Sequence, residues 1–93
     1  MITKRIIFEG RVQGVGFPYT TRQLALGFEV IGWVKNLTDG SIELVLEGDE
    51  QEVIEFIEEI TEESPLAHHI KHITQENLPR LVNVIGFTIM KDS

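Results

Sequence analysis

The stretch Val30–Leu46 constrains the fold of this chain more than any other. Val30–Leu37 is apolar-rich, and Thr38-Asp39-Gly40 supplies turn chemistry. Ser41–Leu46 then alternates Ile42, Leu44 and Leu46 against Ser41, Glu43 and Val45. A period of two sends successive side chains to opposite faces of a strand, so the segment reads as two partnered strands with one defined apolar face. Such a face needs another layer to cover it.

Two helices are available for that layer. Pro18–Phe28 offers Tyr19, Leu24, Ala25 and Phe28 as apolar contacts, with Pro18 in the first turn, where its missing N–H is least costly. The second helix follows Gly48-Asp49. Asp49 is placed as N-cap with Glu52 at the capping-box position, Val53, Phe56, Ile57 and Ile60 mark the buried stripe, and Ser64-Pro65 ends it. Thr3–Phe8, His69–Thr74 and Val84–Met90 read as strands, and Glu76–Asn83, containing Pro79, as a loop. The order is β-α-β-β-α-β with an extra C-terminal strand. That predicts an α+β, ferredoxin-like sandwich, an antiparallel sheet with two helices on one face. No repeat and no Gly/Ser- or Pro-rich stretch divides the chain, so residues 1–93 read as one domain.

Charge and composition narrow the function. Fifteen acids against eight bases give a net charge of −7, which argues against nucleic acid or an anionic membrane as partner. Nine of the acids fall within Glu47–Glu63 and read as a solvated helix face. Lys4, Arg5, Arg11, Arg22 and Lys35 make the first half the place for an anion site. Cysteine is absent, which excludes disulfides and thiolate metal sites and suits a reducing compartment. The run Ile6-Ile7-Phe8 is too short for a signal peptide or a membrane span, so a soluble, cytoplasmic protein is expected, and the sequon Asn36-Leu37-Thr38 is not read as glycosylated.

The chemistry points to Gly10-Arg11-Val12-Gln13-Gly14-Val15-Gly16-Phe17, between a strand and a helix. Its three glycines reach torsions closed to other residues, so successive N–H groups can turn toward one anion beside a helix N-terminus. Glycine-rich turns also serve tight packing. Two familiar phosphate loops do not fit. The dinucleotide fingerprint needs glycine where Tyr19 stands, and the Walker pattern finds Val15 at its second glycine and no lysine.

The whole string Gly10–Phe17 resembles the signature of the acylphosphatases. So does Gly32-Trp33-Val34-Lys35-Asn36-Leu37-Thr38-Asp39-Gly40, and the similarity extends through Glu47-Gly48-Asp49 and Pro65-Leu66-Ala67 to Gly86-Phe87-Thr88-Ile89. The resemblance implies hydrolysis of a small acyl phosphate to a carboxylate and inorganic phosphate, with no cofactor, no metal and no covalent intermediate. It implies that Gly14, Val15, Gly16 and Phe17 cradle the phosphoryl group and that Asn36 orients the attacking water. The family's arginine belongs immediately after the phenylalanine, where this chain has Pro18.

Proline brings no guanidinium fork and also deletes an N–H from the cradle. Loss of one anion-stabilising donor costs on the order of 10²–10³ in rate, so the expectation is an impaired enzyme. The alternative is a non-catalytic module that binds phosphate or an acyl phosphate. Arg22, one helical turn after position 18, is the candidate for compensation, and Arg11 a weaker one. An RNA-binding reading of the same frame fails because Ser41–Leu46 has no aromatic residue. His68, His69 and His72 invite a metal reading, but on a strand His68 and His72 would stand roughly 13 Å apart, too far to share one ion. Trp33 and Phe17 are read as core-packing residues rather than ligand-stacking aromatics. A monomer is expected.

Overall fold

A computed structural model of the chain describes residues 1–92. The elements run β1 (Ile2–Gly10), α1 (Phe17–Ala25), β2 (Val30–Asn36), β3 (Ile42–Gly48), α2 (Glu50–Glu58), β4 (Ile70–Asn77) and β5 (Phe87–Ile89). They form one sheet in the order β4-β1-β3-β2-β5. Ile6 and Val34 both lie opposite Leu44, which sets the register of the three central strands. Even-numbered residues therefore share the inward face. Ile6, Phe8, Val30, Val34, Ile42, Leu44 and Leu46 form one core with Phe17 and Ala25 of α1 and Val53, Phe56 and Ile57 of α2. Both helices thus cover the same face, as the expected sandwich requires.

The sheet is mixed rather than wholly antiparallel, because β5 pairs parallel to β2. The cause is the path between β4 and β5. Residue Asn77 of β4 ends opposite Lys4, near the start of β1, so the chain must cross that end of the sheet to reach the far edge. There it enters beside Gly32 and runs the same way as β2. Only Phe87–Ile89 pair, a shorter strand than Val84–Met90, and β4 runs to Asn77 rather than stopping at Thr74.

The other face of β3 departs from its sequence pattern. Glu43, Val45 and Glu47 alternate with the apolar set, yet they are buried, at 8%, 1% and 3% exposure. Neighbouring strands cover them. Arg5 Nε donates to Glu43 Oε2 at 2.6 Å, and Trp33 Nε1 donates to Glu43 Oε1 at 3.2 Å. Trp33 therefore packs on the open face of the sheet rather than in the core. Glu47, grouped above with a solvated helix face, accepts from Thr3 Oγ1 and from the Leu81 N–H, both at 2.8 Å. It fastens the crossing segment to the sheet.

The start of α2 uses a device other than the one predicted, while its helical run stops at Ser64 as predicted. Asp49 is the N-cap of α2 but makes no side-chain capping bond. Glu52 instead accepts the N–H of Glu29 at 2.7 Å, tying α2 to the chain entering β2. After Glu58 the helix widens into a π-turn over Glu59–Glu63, closed by the Ser64 N–H on the Glu59 carbonyl at 2.8 Å. Helix α1 ends at Ala25, sooner than Phe28, and Tyr19 lies 63% exposed rather than against the core.

Candidate functional site

The loop between β1 and α1 is held at both ends and open in the middle. Val12 is fully buried and anchors the first half. Phe17 is also fully buried and packs on Phe8 with ring centroids 5.1 Å apart, anchoring the second. Between them Gly14 and Gly16 take φ of +80° and +74°, the left-handed region in which a side chain costs roughly 1 kcal/mol or more. A Cβ at either glycine would meet nothing within 4 Å, so torsion and not space demands glycine there.

Gly16 is the N-cap of α1, and its carbonyl accepts from the Thr20 N–H at 2.9 Å. Among the described residues, the N–H groups of Gly14, Val15, Gly16 and Phe17 make no well-formed hydrogen bond within the protein, the weak turn contact over Gln13–Gly16 aside. Free donors at a helix N-terminus carry the positive end of its dipole, which makes this stretch suited to an anion. Pro18 sits in the first turn and contributes no donor of its own.

Asn36 ends β2 at the same end of the sheet at which β1 delivers the loop. Its Nδ2 donates to Asp92 Oδ1 at 3.1 Å, whereas its Oδ1 is buried with no partner among the described residues. A buried acceptor left without a partner is uncommon, and closed to solvent as it stands it takes a water only once the side chain shifts. The turn after Asn36 is rigid. Asp39 Oδ1 accepts from the Ser41 hydroxyl at 2.5 Å and the Ser41 N–H at 2.9 Å. The hydroxyl first, and the N–H second, hold the Asp39 carboxyl below the usual carboxylate range.

Gln13 joins the two halves of this site, and the sequence reading missed it. Its Nε2 donates to the carbonyls of Leu37 and Ser41. An amide side chain inside a glycine-rich loop was the available signal, since a long polar residue there must find partners across the loop. Arg22 is exposed on α1 and makes no ion pair among the described residues. His68 and His69 lie in a single 3-10 turn with rings 4.2 Å apart, and His72 is exposed on β4. Among the described residues no group of three or more His, Cys, Asp or Glu is placed to hold a metal ion. Among the described residues no helix is long and apolar enough to cross a membrane.

Comparison with known proteins finds likeness in sequence and in fold. The family model described as Acylphosphatase matches residues 4–89. The acylphosphatase of Bacillus pumilus is 37% identical over 89 residues, covering 96% of this chain and 98% of its own length. Among solved structures, acylphosphatase from Bacillus subtilis superposes with a TM-score of 0.86 at 37% identity, over 97% of this chain and 99% of that one. A segment amounting to 12% of full-length HypF, in its phosphate- and nucleotide-bound form, matches 99% of this chain with a TM-score of 0.82 at 29% identity.

Proposed function

This chain belongs to the acylphosphatase family, and on that premise we propose that it takes the phosphoryl group of a small acyl phosphate on the Gly14–Phe17 loop and hydrolyses it slowly. The observation that carries this reading is the set of N–H groups at Gly14, Val15, Gly16 and Phe17, which make no well-formed bond among the described residues and lie beside the helix N-terminus. The unpartnered Oδ1 of Asn36 supports a second role, accepting a hydrogen from the attacking water once the side chain turns it toward the loop. Water then adds to phosphorus as the bond from phosphorus to the acyl oxygen breaks. The acyl group leaves as carboxylate, and the water oxygen stays in inorganic phosphate.

Position 18 limits the rate in this reading. Phosphoryl transfer is catalysed mainly by positioning and by neutralising charge on the phosphoryl oxygens. The family's arginine would supply a charged, two-pronged donor there, and Pro18 supplies neither a side-chain donor nor an N–H. The same observation favours a second reading, a module that binds phosphate or an acyl phosphate without turning it over. In both, the domain acts as a monomer in the cytoplasm, a setting suited to a cysteine-free chain.

The test is hydrolysis of a simple acyl phosphate by the protein and by Pro18→Arg, with phosphate affinity measured alongside. The hydrolytic reading expects slow turnover that rises on the order of 10²–10³ in the variant. Phosphate binding with no turnover in the unaltered protein selects the binding module. A variant no faster than the parent removes position 18 as the limiting feature. Absence of phosphate binding in both removes the loop as the site.

A further inference from the structure

A second concentration of positive groups lies at the start of the same loop, on the side facing β4. Arg11, His68, His69 and Lys71 line an open groove of about 410 Å³, with no carboxylate of the described residues among its lining. Most other cations near the sheet are engaged: Arg5 with Glu43 and Glu76, Lys35 with Glu43, and Arg80 with Glu47. Arg11 and Lys71 have no carboxylate partner among the described residues. The nearest acid in sequence, Glu9, lines a different groove with Asp39, Gly40 and Ser41.

The backbone builds this arrangement rather than leaving it to chance on a flexible surface. The β1–β4 register steps from His72 opposite Glu9 to Ile70 opposite Gly10, so Lys71 is the extra residue of a bulge. Bulges re-aim the side chain they carry. Gly10 makes the close approach possible, because a Cβ there would stand 2.5 Å from the His69 carbonyl and 2.9 Å from Lys71 Cγ. The Arg11 N–H donates to that same His69 carbonyl at 3.0 Å, fixing the loop's first residue against the turn that carries both histidines.

We propose that Arg11, His68, His69 and Lys71 form a second anion site, separate from the Gly14–Phe17 loop, that takes a dianionic phosphate group. Two fixed cations match the charge of a phosphate monoester, and each imidazole brings at least one N–H donor. A nucleic acid would have to pass a surface of net charge −7, so the ligand is a small molecule. The phosphate arrives either on the acyl part of the substrate or on a separate phosphorylated compound.

The experiment follows the histidine ring signals and the Gly14 and Gly16 amide signals by NMR while inorganic phosphate is added. The ring signals of His68 and His69 are expected to move to saturation. Lys71→Gln, a change at an exposed residue, is expected to weaken that midpoint by about tenfold while leaving the glycine midpoint unchanged. Ring signals that stay still as phosphate is raised, or a midpoint indifferent to Lys71→Gln, overturn the proposal. Because the glycine amides report the loop separately, the two sites stand or fall on different signals. A hydrolysis-resistant acylphosphonate carrying a second phosphate then identifies the source. One shared midpoint for rings and glycines means the phosphate comes with the substrate, and two midpoints mean a separate ligand.

Discussion

The side-chain amide of Gln13 donates to the carbonyl of Leu37 across 2.7 Å, and the same nitrogen reaches the carbonyl of Ser41 at 2.9 Å. One side chain therefore fixes the loop from β1 relative to the turn that follows Asn36. The proposed phosphate donors and the proposed water acceptor lie on separate elements, and catalysis by positioning requires their spacing to be constant. The carbonyls of Leu37 and Ser41 also close the β2–β3 turn, since the Leu37 N–H donates to Ser41 O at 2.9 Å and the Gly40 N–H to Leu37 O at 3.2 Å.

Gln13→Ala should consequently uncouple the two halves while the core remains intact. Two lost hydrogen bonds at a largely exposed residue are worth about 1–2 kcal/mol of stability, and the freed loop weakens phosphate binding by roughly tenfold. Urea midpoints and phosphate titrations measure the two effects. A variant that loses stability with unchanged phosphate affinity would show that Gln13 braces the turn alone.

Asn36 gives a sharper prediction in the Pro18→Arg background. Asn36→Ala removes the unpartnered Oδ1 acceptor and should lower kcat on the order of 10²–10³ with little change in KM. Asp92→Ala removes only the partner of Nδ2, so it should leave kcat within about threefold. A rise in KM with unchanged kcat on Asn36→Ala would assign the residue to binding rather than to the water.

The helical periodicity of α2 was fully legible in the sequence: Val53, Phe56 and Ile57 are all buried, as their three- and four-residue spacing requires, and Ile60 of the π-turn continues the stripe. The glycine loop was legible too, because strand-to-loop-to-helix order and positive φ at Gly14 and Gly16 are local matters. What escaped depends on partners far away in the chain. Glu43 looks like an outward residue until Arg5, 38 positions earlier, is placed beside it. The parallel pairing of β5 follows from a crossing segment whose anchor is Glu47, and Glu47 alone reads as one more acid in an acidic run. Gln13 was hidden for the same reason, its acceptors lying 24 and 28 residues away.

Phe56 is where the C-terminal strand meets the helical layer. It is fully buried, stacks on Phe28 at 5.1 Å and meets Phe87 edge-on at 6.0 Å. Phe56→Ala should cost about 3–5 kcal/mol, the transfer loss plus the cavity left behind. Hydrogen exchange at the Met90 N–H, which donates to Val34 O at 2.9 Å, should quicken more than at the centre of β3 if β5 is released first. Equal acceleration at both sites would mean that β5 opens only with the whole sheet.

Glu47 supplies a pH dependence whose sign can be worked out. The Leu81 N–H first, then the Thr3 hydroxyl, hold its carboxyl below the ordinary glutamate range, and Arg80 adds to this against the opposing effect of desolvation. A depressed folded pKa means that the unfolded chain takes up the proton more readily. The stabilisation is therefore present above the unfolded value of about 4.3 and is lost as pH falls through the lower folded value. Protonation at the bottom of that window weakens the Leu81 and Thr3 bonds, so the segment crossing from β4 to β5 should loosen before the central strands do. Glu47→Gln should lower stability at pH 7 and flatten the fall in urea midpoint between neutral and acid pH. In the parent, exchange at the Leu81 amide should rise with acidification faster than the intrinsic rate does. A parent and variant with parallel pH profiles would move the acid sensitivity elsewhere, to Asp39 beside the glycine loop, whose carboxyl is depressed in the same direction by Ser41.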